Sequence, residues 1–289
     1  METMRDIRNR MKSVRQSLKV TSAMKLISTA KLRKARRRLD ETLPYFTAIH
    51  DVMRDIESNA NSNGEKWFDR RASKTDRHIA TLVITADKGL AGGYNHSVIR
   101  FAEERCPPGS ILMPMGAVGK RYFIEKNYIL LEDFAAPQKE PTVYEAKEVA
   151  NFVAAQYLEG KVDEFRVIFT RMYSTVKLEP EMITLLPLDI EAIRAPQHRI
   201  AAPTVYSYEP DETSLFDVLV PQYLKGIVYG ALVQAFASEQ AARMTAMDSA
   251  SKNAEDMLDR LQLIYNRARQ ASITNEVSEI VAGAAALED

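Results

Sequence analysis

Apolar side chains recur every three or four positions from the start of the chain. Met4, Ile7, Met11, Val14 and Leu18 mark one face, with the mean spacing of about 3.5 residues that a coiled-coil seam requires. The phase then slips, and Val20, Met24, Ile27 and Ala30 continue the seam at a new offset. Leu32, Ala35, Leu39, Phe46, Ile49, Met53 and Ile56 follow at the same kind of spacing. Pro44 falls inside this pattern and is expected to kink the helix rather than end it. Asn59–Gly64 is a stop signal. The spacing predicts one helix over about 3–57, roughly 80 Å long. The other end of the chain repeats the pattern. Met244, Met247, Ser251, Ala254, Leu258, Leu261, Tyr265 and Ala268 form one stripe, and Ile273, Val277, Ile280, Ala284 and Leu287 resume it after a further slip. A helix over about 212–287 follows, roughly 110 Å long.

The middle of the chain has a different pattern. Short apolar runs at 78–85, 110–115, 165–170 and 182–187 read as strands. Helical patterns separate most of them: one ending near Arg105, one over 116–127, and one over 141–160 with Val143, Ala146, Val149 and Val153 on a single face. Strands that alternate with helices imply a mainly parallel sheet. The expected fold is therefore α/β (α+β overall), with an N-terminal helix over 1–58, an α/β domain over 75–210 and a C-terminal helix over 211–289.

A long helix with one apolar stripe needs a partner, and charge identifies it. Residues 1–38 carry 13 basic and 2 acidic side chains, whereas residues 211–289 carry 6 basic and 12 acidic. The two ends attract each other, and because both join the same middle domain they should run antiparallel. The C-terminal helix is the longer by about 20 residues, or roughly 30 Å. Its tip, Ile280–Leu287, carries no charge and should project to meet another protein.

Composition removes several function classes. The whole chain of 289 residues has formal net charge zero and is 46% apolar, which argues against global disorder. One cysteine, Cys106, excludes an internal disulfide and a cysteine-based metal site. No charge-free run reaches the 18 or so apolar residues of a membrane span. The first residues lack the apolar stretch of a signal peptide, so a cytoplasmic location is expected.

The candidate motifs leave alternatives open. Asp87-Lys-Gly-Leu-Ala-Gly-Gly93 lies between a strand and a helix, where α/β folds cradle phosphates. It matches neither glycine-rich nucleotide motif, and a tight turn with close helix–strand packing explains it better. The basic run Lys31–Arg38 admits three readings: phosphate contact, a solvated face, or an acidic protein partner. A nucleic-acid-binding coiled coil and an α/β nucleotide enzyme with helical arms are the corresponding function classes. The four histidines show no metal-ligand spacing, and no catalytic constellation can be picked out.

Three blocks resemble the γ subunit of F-type ATP synthase in its bacterial form. They are Ile7–Val14 with Ala23-Met-Lys25 and Ala30–Arg33; Asp87–Gly93; and Ser238–Met247 with Tyr265–Thr274 and Glu279–Ala286. Ala91 stands where many members have cysteine, and the cysteine pair of light-regulated plant-type members is absent. The resemblance implies an antiparallel coiled coil with a Rossmann-like middle domain. It implies a non-catalytic rotor shaft that couples ion flow through a membrane ring of c subunits to ATP synthesis or hydrolysis in a hexamer of α and β subunits. The chain would be peripheral to the cytoplasmic side of the plasma membrane. The implied partners are the α and β subunits, an ε subunit and the c ring, with no nucleic acid, cofactor or metal.

By motif, the resemblance assigns Met24, Lys25, Arg269 and Gln270 to contacts with β subunits. It assigns Tyr206, Tyr208 and Glu209 to the c ring. Ile280, Val281 and Leu287 become an apolar bearing at the tip.

Overall fold

The computed structural model describes residues 3–59, 65–69, 71, 74, 76–131, 140–194 and 212–288. The chain forms two compact units: Met1–Ser28 with Arg243–Asp289, and Thr29–Ala242. In chain order the elements are α1 (Met4–Asn59), α2 (Glu65–Phe68), β1 (Ile79–Ile84), α3 (Tyr94–Arg105), β2 (Ile111–Met115), α4 (Ala117–Glu125), β3 (Ile129–Leu130), α5 (Val143–Leu158), β4 (Glu164–Met172), β5 (Leu178–Leu186), α6 (Ile190–Arg194) and α7 (Glu212–Glu288). Both predicted end helices are present. Pro44 lies within α1 and Pro221 within α7.

In the first unit, α1 and α7 run antiparallel. As the α1 residue advances from Arg8 to Thr21 to Lys25, its α7 partner retreats from Tyr265 to Ser251 to Asp248. Ile7, Met11 and Leu261 form the buried centre, flanked by Val14, Leu258, Tyr265 and Ala268. The α7 stripe from Met244 to Ala268 follows the predicted positions.

The predicted slip in α1 does not occur. The covered positions continue at one phase through Leu18, Thr21, Lys25 and Ser28, while Val20 and Ile27 are 53% and 56% exposed. Ala30, within the second unit, is also exposed, and Met24 is half-buried. A shift of one residue turns a helix face by about 100°, so both stripes cannot face one straight partner. The polar stripe faces inward because α7 answers it. Thr21 Oγ1 lies 2.8 Å from Ser251 Oγ, and Lys25 Nζ donates to Asp248 Oδ1 over 2.5 Å.

The second unit holds a five-stranded sheet in the order β3-β2-β1-β4-β5. The first four strands are parallel, and β5 pairs antiparallel with β4. Alternation along the strands feeds two cores. Ala80, Leu82 and Ile84 of β1, with Phe165, Val167 and Phe169 of β4, pack against α5 and the adjoining parts of α1 and α7. Val83 and Ile168 face the other way, among Tyr94, Val98 and Ala102 of α3 and Phe123 of α4. A mainly parallel sheet buried on both sides is the expected consequence of α/β alternation.

Local sequence explains individual elements. Thr142 and Glu145 form a reciprocal capping box that starts α5. Ala146, Val149 and Val153 are buried as predicted, but Val143 in the first turn is exposed. Pro114 sits in β2 because the even positions of that strand face β3, and β3 pairs only as far as Leu112. Its missing N–H therefore faces no strand.

Candidate functional site

The glycine loop follows β1. Leu90 and Gly92 have positive φ, 64° and 55°, so the loop is a tight turn. The end of β1 and the start of the loop are tied to the neighbouring helix α4. Asp87 Oδ1 accepts from Ala117 N at 3.0 Å, the Ala86 carbonyl accepts from Val118 N at 3.2 Å, and Thr85 Oγ1 accepts from Gly119 N at 3.0 Å. The first amides of α4 are thus occupied by the chain itself, one of them by a carboxylate that would repel an anion. Asn95 Oδ1 also ties back to Ala86 N at 2.9 Å. The close packing expected at the loop occurs instead at Gly116 and Gly119. A Cβ at Gly116, whose φ is 110°, would lie 2.2 Å from the Thr85 carbonyl oxygen. Among the described residues, no grouping of three or more histidine, cysteine or acidic side chains could hold a metal ion. Cys106 is buried, and burial raises its pKa, against the hydroxyl of Thr81. That is the setting of an inert thiol.

Among the described residues, three of the six basic side chains in the run are paired within the chain. Lys34 and Arg38 reach Glu140 at 2.8 and 3.1 Å, and Arg37 pairs with Glu41 at 3.7 Å. The hydrogen bond from Lys34 holds the Glu140 carboxyl below its ordinary pKa.

The residues assigned to β-subunit contacts have two kinds of environment. Met24 and Lys25 lie on α1 beside α7. The Lys25 charge is shared with Asp248, which also receives Lys252 at 3.1 Å. Hydrogen bonds from Lys25 and then Lys252 lower the Asp248 pKa. This polar layer, with Thr21, Ser22 and Ser251, was hidden from an apolar-period reading. Arg269 and Gln270 are exposed. Among the described residues, neither side chain has a hydrogen-bond or ion-pair partner.

Beyond Ser272 the described side chains of α7 are all exposed, so Ile273, Val277 and Ile280 of the resumed stripe are left uncovered. The length of helix from 273 to 288 is about 24 Å. Ile280 and Val281 are 71% and 62% exposed. The helix continues to Glu288, but the Leu287 side chain lies outside the described residues. So do Tyr206, Tyr208 and Glu209. No helix of the described residues is long and apolar enough to cross a membrane.

A family model described as ATP synthase matches residues 3–287. An ATP synthase gamma chain from Ruminiclostridium cellulolyticum is 43% identical over 290 residues, covering 99% of each chain. One from Acetobacterium woodii, named as sodium ion specific, is 36% identical over 303 residues and covers 99% of each. A chain in the Euglena gracilis mitochondrial ATP synthase, in its OSCP/F1/c-ring structure, superposes with a TM-score of 0.64 at 17% identity. That match covers 98% of this chain and 94% of the other, and it supports the fold. Matched along nearly its whole length by sequence, the chain belongs to the ATP synthase gamma chain family.

Proposed function

We propose that the chain is the central rotor shaft of an F-type ATP synthase, a subunit that performs no chemistry itself. The observation that carries this reading is the end of α7. Sixteen helical residues follow Ser272, and every described side chain among them is exposed, including Ile273, Val277, Ile280 and Val281. A helix with unpartnered apolar residues along such a length is suited to a surrounding protein sleeve.

Coupling is a matter of free energy. Three catalytic β subunits can be held in different nucleotide states only if the shaft contacts them differently, because only differential binding shifts an equilibrium. The shaft offers such differences around its circumference. Arg269 and Gln270 supply free polar groups, the tip supplies uncharged surface, and Arg5–Lys19 supplies a nearly unbroken basic face. Arg269 and Gln270 grip one β subunit at a time, and the apolar tip turns without a fixed charge contact. Met24 presents apolar surface to an acidic β loop, with the charge of Lys25 tempered by Asp248. Tyr206, Tyr208 and Glu209 stand on the c ring, through which the chain is held at the membrane. An ε subunit completes the rotor. ATP is bound by the other subunits, and the positive φ of Leu90 and Gly92 supports reading the glycine loop as a turn.

The double substitution Arg269→Ala with Gln270→Ala tests the grip. The expected result is slower ATP synthesis and slower sustained hydrolysis in an assembled complex of unchanged subunit composition. Losses of about 2- to 30-fold are the usual range for disturbed coupling between sites. Unchanged synthesis at unchanged assembly removes the role from these two residues.

A further inference from the structure

The short helix α2 lies in a stretch that composition marks only as a connector, yet it joins more elements than its four residues require. Trp67, the single tryptophan of the chain, is 1% exposed. Its indole N–H donates to Asp217 Oδ1 of α7 at 3.0 Å, and Lys66 Nζ reaches the same carboxylate at 2.6 Å. Its backbone carbonyl accepts from Leu188 N, between β5 and α6, at 2.8 Å. Its ring stacks on Tyr157 of α5, 6.4 Å between centroids and 11° between planes. Phe68 meets Phe216 of α7 edge-on at 5.8 Å. The Tyr157 hydroxyl donates to the Asp69 carbonyl at 2.7 Å.

We infer that α2 is a torque clamp, with Trp67 and Asp217 as positioning residues that fix the sheet-bearing body to the shaft helix α7. The inference rests on the rotor reading and deepens it. If Tyr206, Tyr208 and Glu209 receive force from the ring, that force enters the chain between α6 and α7 and must pass into α7. The clamp grips the chain on both sides of that stretch, at Leu188 before it and at Phe216 and Asp217 after it. An indole hydrogen bond and an ion pair on one carboxylate resist sliding in a way that apolar packing does not, because their geometry is directional. The bond also explains why a tryptophan, rather than another large apolar residue, fills this site: its buried N–H requires an acceptor.

The test uses the complete membrane-bound complex carrying Trp67→Phe or Asp217→Asn, which keep ring or shape while changing the bond. Two rates are measured: ATP synthesis driven by an imposed gradient of protons and sodium ions together, and MgATP hydrolysis by the detached α–β complex with this chain. The proposal expects synthesis to fall about threefold or more while detached hydrolysis and subunit composition stay unchanged. A merely structural clamp lowers both rates in the same proportion, and that result overturns the proposal, as does synthesis at the unaltered rate in both variants. In Asp217→Asn, retained blue-shifted tryptophan emission verifies that the ring is still buried. A third variant, Tyr206→Ala with Tyr208→Ala and Glu209→Ala, separates the two readings. Full synthesis there refutes the ring contact alone, whereas loss there beside normal clamp variants refutes the clamp alone.

Discussion

Asp163 shows how single residues set local stability in this chain. Its carboxylate is fully buried at the edge of β4. Burial is the largest single influence and would raise its pKa, but Lys74, Arg71 and the His78 amide together outweigh it. Arg71 and Lys74 each lie 2.8 Å from Oδ1, and the His78 amide donates to Oδ2 at 3.0 Å. The folded-state pKa therefore falls far below the ordinary 3.8. A depressed carboxylate contributes its full stability above the unfolded pKa and loses it as pH falls through the folded one. The expected outcome is a melting temperature that is level near neutrality and drops below about pH 4. Asp163→Asn should cost about 1–3 kcal/mol, since the buried amide loses charge-assisted hydrogen bonds that the carboxylate accepts from Arg71, Lys74 and the His78 amide. It should also flatten the acid limb in denaturation measured from pH 7 to 2. Burial pushes the Tyr157 phenol beside it up to about 12, so stability is also lost as pH rises above about 10, where the unfolded phenol ionises first. None of this was legible in the sequence. Asp163 looks like any acidic residue before a strand, and its partners lie about 90 positions earlier.

At the scale of elements, most of the fold was readable and the failures have physical causes. The α7 stripe was correctly placed because its seam residues are apolar or small. The α1 stripe departs from expectation between Val20 and Ala30 because burial there follows complementary polar groups rather than hydrophobicity. Thr21, Lys25 and Ser28 are unremarkable until Ser251 and Asp248 are placed opposite them. The β4–β5 hairpin could have been read, since the connection from Met172 to Leu178 is too short for the crossover that a parallel pair needs. The strand β3 is only two residues long, and no period can reveal it. The clamp helix was missed because its one signal, a tryptophan in a polar stretch, has no periodicity. The seam correction predicts a contrast in the stability of the coil. Leu261→Ala should cost about 2–5 kcal/mol, because Leu261 is 4% exposed between Ile7 and Met11. Ile27→Ala should stay within about 0.5 kcal/mol. Thermal melts of the two variants distinguish the observed phase from the slipped one, which demands the larger loss at Ile27.

At the scale of the whole molecule, the division of charge and the division of length serve one reading. A basic helix and an acidic helix from opposite ends of the chain associate without a second copy. The unequal lengths leave the end of α7 bare. Neither feature requires an active site. The family assignment and the exposed helix end converge on a part that works by being turned. The most direct test is to coexpress the chain with its cognate α and β subunits, purify the complex, and follow MgATP hydrolysis with and without the chain. A rotor shaft gives an assembly of three α, three β and one copy of this chain, with sustained turnover that depends on it and with rotation of a probe fixed to the chain. Independently folded subunits that fail to associate, or turnover that proceeds equally well without the chain, would contradict that role.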